Sequence, residues 1–391
     1  MCIIKPWENP EQKQTKGEEI MEAIKKVVAT AMAVIMAVYG FIGLSGNVSD
    51  DYTEGKYKNV ILMIGDGMGF NTLEATKAQR GVSLAMETMP VKAQSQTWSY
   101  GIPATDSAAG GTALSTGVRV WINSVGLFPF DPFTINDFNV PINLCELVKR
   151  DGKAAGVVTT DKTSGATPSA FSAHALARDM EENISADQLA SGFDLIWGGA
   201  SDSINAENAA ANGFAYISTE TEMDALTEGT RSFGQFNFDD LYNCTSKYDT
   251  PSIEEMTEKA IEILSADEDG FFLMVEGACI DKNSHNNNFA GATLCTEEFD
   301  KAVKAALQFA EEDGETLVIV TADHETGGIK LDKKTGEYKY TSDTHTNVDV
   351  PVFVSATDAG FKSGDKIKNR EIPVQIARVM GYAQNEFPAA K

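Results

Sequence analysis

Four histidines are spread over the 391 residues, and three of them keep company that suits a metal ion. His285 follows Asp281 by four residues, which places both side chains on one face if the segment is helical. His324 directly follows Asp323, and His345 sits in Thr344-His345-Thr346 just ahead of an apolar run. Imidazole mixed with carboxylate is the donor set of zinc, whereas oxygen alone suits magnesium or calcium. Each feature has an ordinary explanation when it stands alone: Asp66 between two glycines as a turn residue, Asp281 and His285 as a helix-surface pair. Their joint arrival at the ends of separate apolar runs points to a metal site. His174 has no such company and is expected to be a packed structural histidine.

Residues so far apart need a framework that gathers them. Short apolar runs rich in β-branched residues recur at Val60–Ile64, Ala155–Thr159, Asp194–Trp197, Phe271–Val275, Leu317–Val320 and Val350–Val354, the pattern of strands buried on both faces. Helical patterns alternate with them at Ile142–Arg150, Ile253–Leu264 and Glu297–Ala310. The alternation predicts an α/β fold with a mainly parallel central sheet and helices on both faces. Ligands of such sheets collect beyond the carboxyl ends of the strands. Three of the runs lead there into polar residues: Gly65-Asp66-Gly67, Glu276-Gly277 with Asp281 beyond, and Thr321-Ala322-Asp323-His324. Residues 51–391 read as one domain, with Asn123–Asn139 as a surface excursion.

A composition 42% hydrophobic over this length supports a substantial core. The net charge of -25 disfavours nucleic acid and anionic lipid as partners, and an anionic substrate would need local cations to reverse the field. Residues 1–50 differ from the rest. Lys25 and Lys26 precede an apolar run from Val27 to Leu44, and small residues follow at Gly43–Gly46, as in a signal peptide; an uncleaved membrane anchor is the alternative. Met21 would begin a more typical signal peptide than Met1. The segment predicts export, to a periplasmic, cell-envelope or extracellular location. Cys145, Cys244, Cys279 and Cys295 then remain, and an oxidising compartment permits bridges without requiring them. If one forms, Cys244 with Cys295 is the expected pair, worth about 4 kcal/mol in the chain-entropy account.

Five stretches carry a family resemblance. Ile64-Gly65-Asp66-Gly67-Met68-Gly69, Thr105-Asp106-Ser107-Ala108-Ala109, Ala166-Thr167-Pro168, Val275-Glu276-Gly277-Ala278 with Ile280-Asp281-Lys282 and His285, and Thr321-Ala322-Asp323-His324-Glu325 resemble, in order, the motifs of the alkaline phosphatase family. The resemblance implies hydrolysis of small-molecule phosphate monoesters at a site with two zincs and one magnesium. Asp281, His285 and His345 would hold the first zinc; Asp66, Asp323 and His324 the second; Asp66, Thr167 and Glu276 the magnesium. Ser107 would be the nucleophile and form a phosphoserine, Arg178 would clamp two phosphate oxygens, and Lys282 would contact phosphate through water. A homodimer is a family expectation.

Local patterns bear on three of these residues. Thr105-Asp106-Ser107 ahead of small residues also reads as a helix start, with Asp106 or Ser107 as the cap, and a helix start turns backbone N–H groups towards an anion. Thr167-Pro168 likewise reads as a cap followed by proline. A straight helix from Thr167 would leave Arg178 about 16 Å away, so the segment must break or the long side chain must span the gap. The chain departs from the family at Gly165, where an Asp or His two residues before the threonine commonly helps the third metal site. The rival readings are a phosphodiesterase of the same superfamily and a noncatalytic envelope protein that binds phosphate or metal. A sulfatase would need x-Pro-x-Arg after its nucleophile, and Ser107 is followed by Ala108-Ala109-Gly110-Gly111.

Overall fold

The apolar runs become the middle of one large sheet. In this computed structural model, which describes residues 53–127 and 140–388, the strands are β1 Asn59–Ile64, β2 Val91–Gln96, β3 Ala154–Lys162, β4 Leu195–Gly199, β5 Ala215–Ile217, β6 Ser232–Phe236, β7 Phe271–Glu276 and β8 Thr316–Thr321. Four short strands follow, β9 Glu325–Thr326, β10 Lys330–Asp332, β11 Glu337–Lys339 and β12 His345–Thr346, and then β13 Val350–Val354 and β14 Lys366–Lys368. The main sheet has ten strands in the order β14-β2-β13-β8-β1-β7-β3-β4-β6-β5. Only β13 runs antiparallel to its neighbours, β2 and β8. The six predicted strands are all present, and β2, β5, β6 and β14 extend the sheet beyond them.

Alternation along the central strands sends side chains to two covered faces. Ile61, Met63, Leu273, Val275, Val318 and Val320 join one apolar cluster with Met256, Phe299 and Val303. The last three come from the helices Ile253–Leu264 and Phe289–Asp313. On the opposite face Phe272 stacks on Phe171 of the helix Ala166–Ser172, with ring centroids 6.2 Å apart. Because β3, β7, β1 and β8 are parallel neighbours, their carboxyl ends form one edge. The register aligns Ile64 with both Glu276 and Thr321, so the polar segments after β1, β7 and β8 leave the sheet at the same level.

Cys244 and Cys295 lie side by side as free thiols, Sγ to Sγ 3.5 Å. His174 is buried, one ring nitrogen on the Gly126 carbonyl and the other on Glu146, each at 3.0 Å, which is the structural role expected of it. No helix among the described residues is long and apolar enough to cross a membrane. Residues 1–50, read from the sequence as a signal segment or anchor, and most of the Asn123–Asn139 excursion lie outside the described residues.

Candidate active site

Ser107 opens the helix Ser107–Thr116, and it is Asp106 that caps it, accepting the Ala109 N–H at 3.1 Å. The first turns of this helix are built from small residues for a packing reason. A Cβ on Gly110 would press on the Asp323 carbonyl at 3.0 Å, and one on Gly111 on Ala170 at 3.1 Å. The helix start is thus lodged between the turn after β8 and the helix Ala166–Ser172. Ser107 is buried, and its Oγ lies 3.2 Å from His324 Nε2.

Arg178 reaches the same place by a route the sequence did not specify. The helix that begins at Ala166 ends at Ser172, and the chain turns back so that the Arg178 N–H donates to the Asn123 carbonyl at 2.9 Å. Its guanidinium Nη1 then sits 3.4 Å from Asp106 Oδ2, beside the serine. Asp106 therefore serves twice, capping the helix of Ser107 and holding Arg178.

His324, Asp66 and Asp323 converge on Ser107. His324 Nε2 faces Asp323 Oδ2 at 3.2 Å and Asp66 Oδ1 at 3.5 Å. Thr326 Oγ1 donates to Asp281 and stands 3.3 Å from His324 Nδ1, which directs the imidazole proton to Nδ1 and leaves a lone pair on Nε2. Burial, and after it the neighbouring His345, hold the His324 pKa well below the ordinary imidazole value, so the ring stays neutral. Asp66 Oδ1 and Asp323 Oδ2 are buried with no hydrogen-bond donor, and so is the Thr167 hydroxyl. Gly67 makes the approach of these groups possible: its φ is +71° and a Cβ there would overlap Asp281 and Thr326.

Asp281, His285 and His345 form a second cluster. Asp281 and His285 share a face of the helix Cys279–His285, with Nε2 3.4 Å from the carboxylate, and β12 brings His345 alongside through its antiparallel pairing with β9. His285 Nδ1 donates to the Asp343 carbonyl at 2.6 Å, and His345 Nδ1 to the Thr105 carbonyl at 2.8 Å. Both Nε2 atoms then carry lone pairs, 3.0 Å apart and aimed at each other. An extra proton or a shared cation relieves that repulsion, and burial, which lowers the His345 pKa, favours the cation.

Glu276 and Thr167, expected with Asp66 at a third cation, are both buried. Glu276, at the end of β7, accepts a hydrogen bond from Thr159 of the adjacent β3. Thr167 is not a helix cap, contrary to the sequence pattern: Gly165 takes the cap position, Thr167 is the second residue of the helix, and its hydroxyl is left unpartnered. Lys282 pairs with Asp161 at 2.9 Å. Burial alone would lower the lysine pKa, but Asp161 outweighs it and, with Asp66 and Glu276, holds the ammonium charged. Sequence reasoning missed Thr326 and Asp161, whose positions come from the fold.

The donor set fits cations. Asp281, His285 and His345 bring ligand atoms within 4.8 Å of one another, as do Asp66, Asp281 and His324. Without cations Asp66, Asp323 and Glu276 resist ionisation. Burial first, then Asp323, Asp281 and Glu276, push Asp66 well up; burial and Asp281 lift Asp323 to about 7; burial and Asp161 lift Glu276 to about 8. A carboxyl whose folded pKa exceeds its unfolded value of about 4 binds more protons when folded. The stability it contributes is full below that value and is lost as pH rises through the folded pKa. Metal-free protein is therefore expected to lose thermal stability between about pH 5 and pH 9, while cation binding tightens over the same range as protons leave. Melting temperatures with chelator and with zinc plus magnesium, taken across that range, should diverge as pH rises; a constant difference would count against it.

Comparison with known proteins adds a family context. A family model described as "Alkaline phosphatase" matches residues 57–198 and 196–347, more than half of the chain. Alkaline phosphatase 3 of Bacillus subtilis is 32% identical over 295 residues, 70% of this chain. The chain spans 62% of that protein's length. The solved alkaline phosphatase of the Antarctic bacterium TAB5 is 29% identical, with a TM-score of 0.71 over 85% of this chain and all of that one. A variant of that enzyme, described with Mg bound in its M3 site, superposes with a TM-score of 0.69 at 28% identity, again over 85% of this chain and all of the other.

Proposed function

Because the chain belongs to the alkaline phosphatase family, we propose that it hydrolyses phosphate monoesters to an alcohol and inorganic phosphate, with Ser107 as the nucleophile. The observation that carries the proposal is the Ser107 hydroxyl at a helix start, 3.2 Å from His324 Nε2 and beside two carboxylate and imidazole clusters. Asp281, His285 and His345 would hold one zinc, Asp66, Asp323 and His324 a second, and Asp66, Thr167 and Glu276 a magnesium. Bound there, the cations supply Lewis-acid charge that favours the serine alkoxide and offsets charge on the attacking and leaving oxygens.

The remaining roles fall to side chains. The Ser107 Oγ–P bond forms as the ester P–O bond breaks, the alcohol departs, and water then cleaves the phosphoserine and restores the hydroxyl. Arg178, steadied by Asp106, presents a planar fork matched to two phosphate oxygens. The N–H groups at the start of the helix Ser107–Thr116 add to the anion cradle. Lys282 stays charged beside Asp161 and would reach phosphate through water. These cationic groups and metals answer the strongly negative overall charge. The proposal places the enzyme outside the cytoplasm, exported through the segment before residue 50, and allows a homodimer.

The test compares a chromogenic monoester with a diester, before and after chelation. Zinc-dependent turnover that favours the monoester is expected, abolished by chelation and restored by zinc with magnesium. Faster diester cleavage would replace the reading with a phosphodiesterase. Phosphate or metal binding without turnover would leave a noncatalytic binding protein.

A further inference from the structure

Gly165 is the position at which the chain lacks the family's acidic or imidazole side chain, and backbone conformation does not explain the glycine. Its φ of -57° and ψ of 160° are open to any residue, and at a helix cap an aspartate would be favoured over a glycine that makes no side-chain hydrogen bond. What chiefly excludes a side chain is Asp161. A Cβ built on Gly165 would overlap the Asp161 carboxylate, with Oδ2 the nearest atom, and would also press on the Lys162 carbonyl at 2.9 Å.

Asp161 is buried near the end of β3, and its backbone is tied to Glu276 by a short relay. Its N–H donates to Thr159 Oγ1 at 2.8 Å, and Thr159 Oγ1 donates to the Glu276 carboxylate. Its other oxygen, Oδ1, accepts the Lys162 N–H at 2.7 Å and pairs with Lys282 at 2.9 Å. An independent observation marks a ligand nearby in the chain: the Thr167 hydroxyl, 1% exposed, has no hydrogen-bond partner.

We propose that Asp161 supplies, from the end of β3, the carboxylate that a side chain at position 165 supplies elsewhere in the family. It is then a positioning residue of the third cation site, with Lys282 as its counter-ion. The inference rests on the alkaline phosphatase reading of the site and assigns a residue that reading does not contain. It makes Asp161 and Gly165 a compensated pair: carboxylates at both positions collide, and one at 165 needs Asp161 removed and a small shift of the Lys162 carbonyl.

The experiment titrates magnesium into zinc-loaded protein and reads the thermal shift and calorimetric affinity, with zinc content measured separately. Asp161→Ala is expected to weaken magnesium binding by about 10- to 100-fold, the range for loss of a group that supports metal ligands, with zinc content unchanged. Asp161→Asn, which keeps the side-chain volume, should show the same direction if the alanine variant folds poorly. Gly165→Asp alone should weaken magnesium binding by displacing Asp161, and the Asp161→Ala/Gly165→Asp double variant should recover most of the affinity. The proposal is overturned if both Asp161 variants leave magnesium affinity unchanged, if the double variant shows no recovery, or if the wild-type protein takes up zinc but never responds to magnesium. These readouts do not depend on turnover. A zinc-loaded wild type that binds magnesium yet hydrolyses no monoester would instead count against the phosphatase reading alone.

Discussion

Ser107→Ala is expected to lower kcat/KM for a phosphate monoester by roughly a thousandfold, about 4 kcal/mol of lost transition-state stabilisation. The change removes one hydroxyl and little else. Asp106, not Ser107, caps the helix, and alanine at a helix start keeps the backbone geometry, so melting temperature and zinc content should stay near wild type. Acid quenching during turnover should trap phosphate on the wild-type chain and none on the variant. A variant that keeps its rate, or still carries the covalent phosphate, would assign the nucleophile elsewhere.

His324→Ala should cost a similar amount by a different route. His324 is fully buried and faces Ser107, Asp66 and Asp323 through one nitrogen. In the proposed site its removal would take a donor from one cation, and it leaves two buried carboxylates without their imidazole. Elemental analysis should find about one zinc fewer per chain, and turnover should fall by about a thousandfold. Because the serine and the histidine act through one centre, combining Ser107→Ala with His324→Ala should add little to either loss. Full zinc content together with additive losses would separate them into independent contributions.

How much of this was legible in the sequence follows from what each segment buries. β1, β3, β7, β8 and β13 are continuous apolar runs because both faces of the sheet are covered, and the sequence shows them directly. β6 is equally buried yet reads Ser232-Phe233-Gly234-Gln235-Phe236, and its polar groups are satisfied by partners distant in sequence. Ser232 Oγ accepts the Trp197 indole N–H at 3.0 Å, and the Gln235 amide donates to Thr163 Oγ1 at 2.6 Å. β2 buries Val91, Ala93 and Ser95 between Lys92 and Gln94, too little apolar surface to stand out.

The candidate site divides in the same way. Asp66, Asp281, His285, Asp323, His324 and His345 announced themselves as metal-ligand residue types at strand ends. Thr326 and Asp161 are ordinary residues in one dimension, and they gain meaning only when β9 meets β12 and β3 turns towards Gly165. The reading of Thr167 as a cap failed for a related reason: the cap pattern fits the sequence, but the helix begins two residues earlier than that pattern places it, and the hydroxyl is left unpartnered.

The placement of β1 has a consequence for how the protein reaches its folded state. Although it is the first described strand along the chain, β1 lies between β7 and β8, with Val60 paired to Phe272 on one side and Leu317 on the other. Its neighbours are thus synthesised more than 200 residues later, a high contact order that makes closure of the sheet slow and late. Asp66 travels with β1 and His345 follows β8, so no shorter nascent chain can assemble both clusters. Cations held as proposed would bind only the completed arrangement and so stabilise the finished chain by mass action, drawing a slow search towards a single end point.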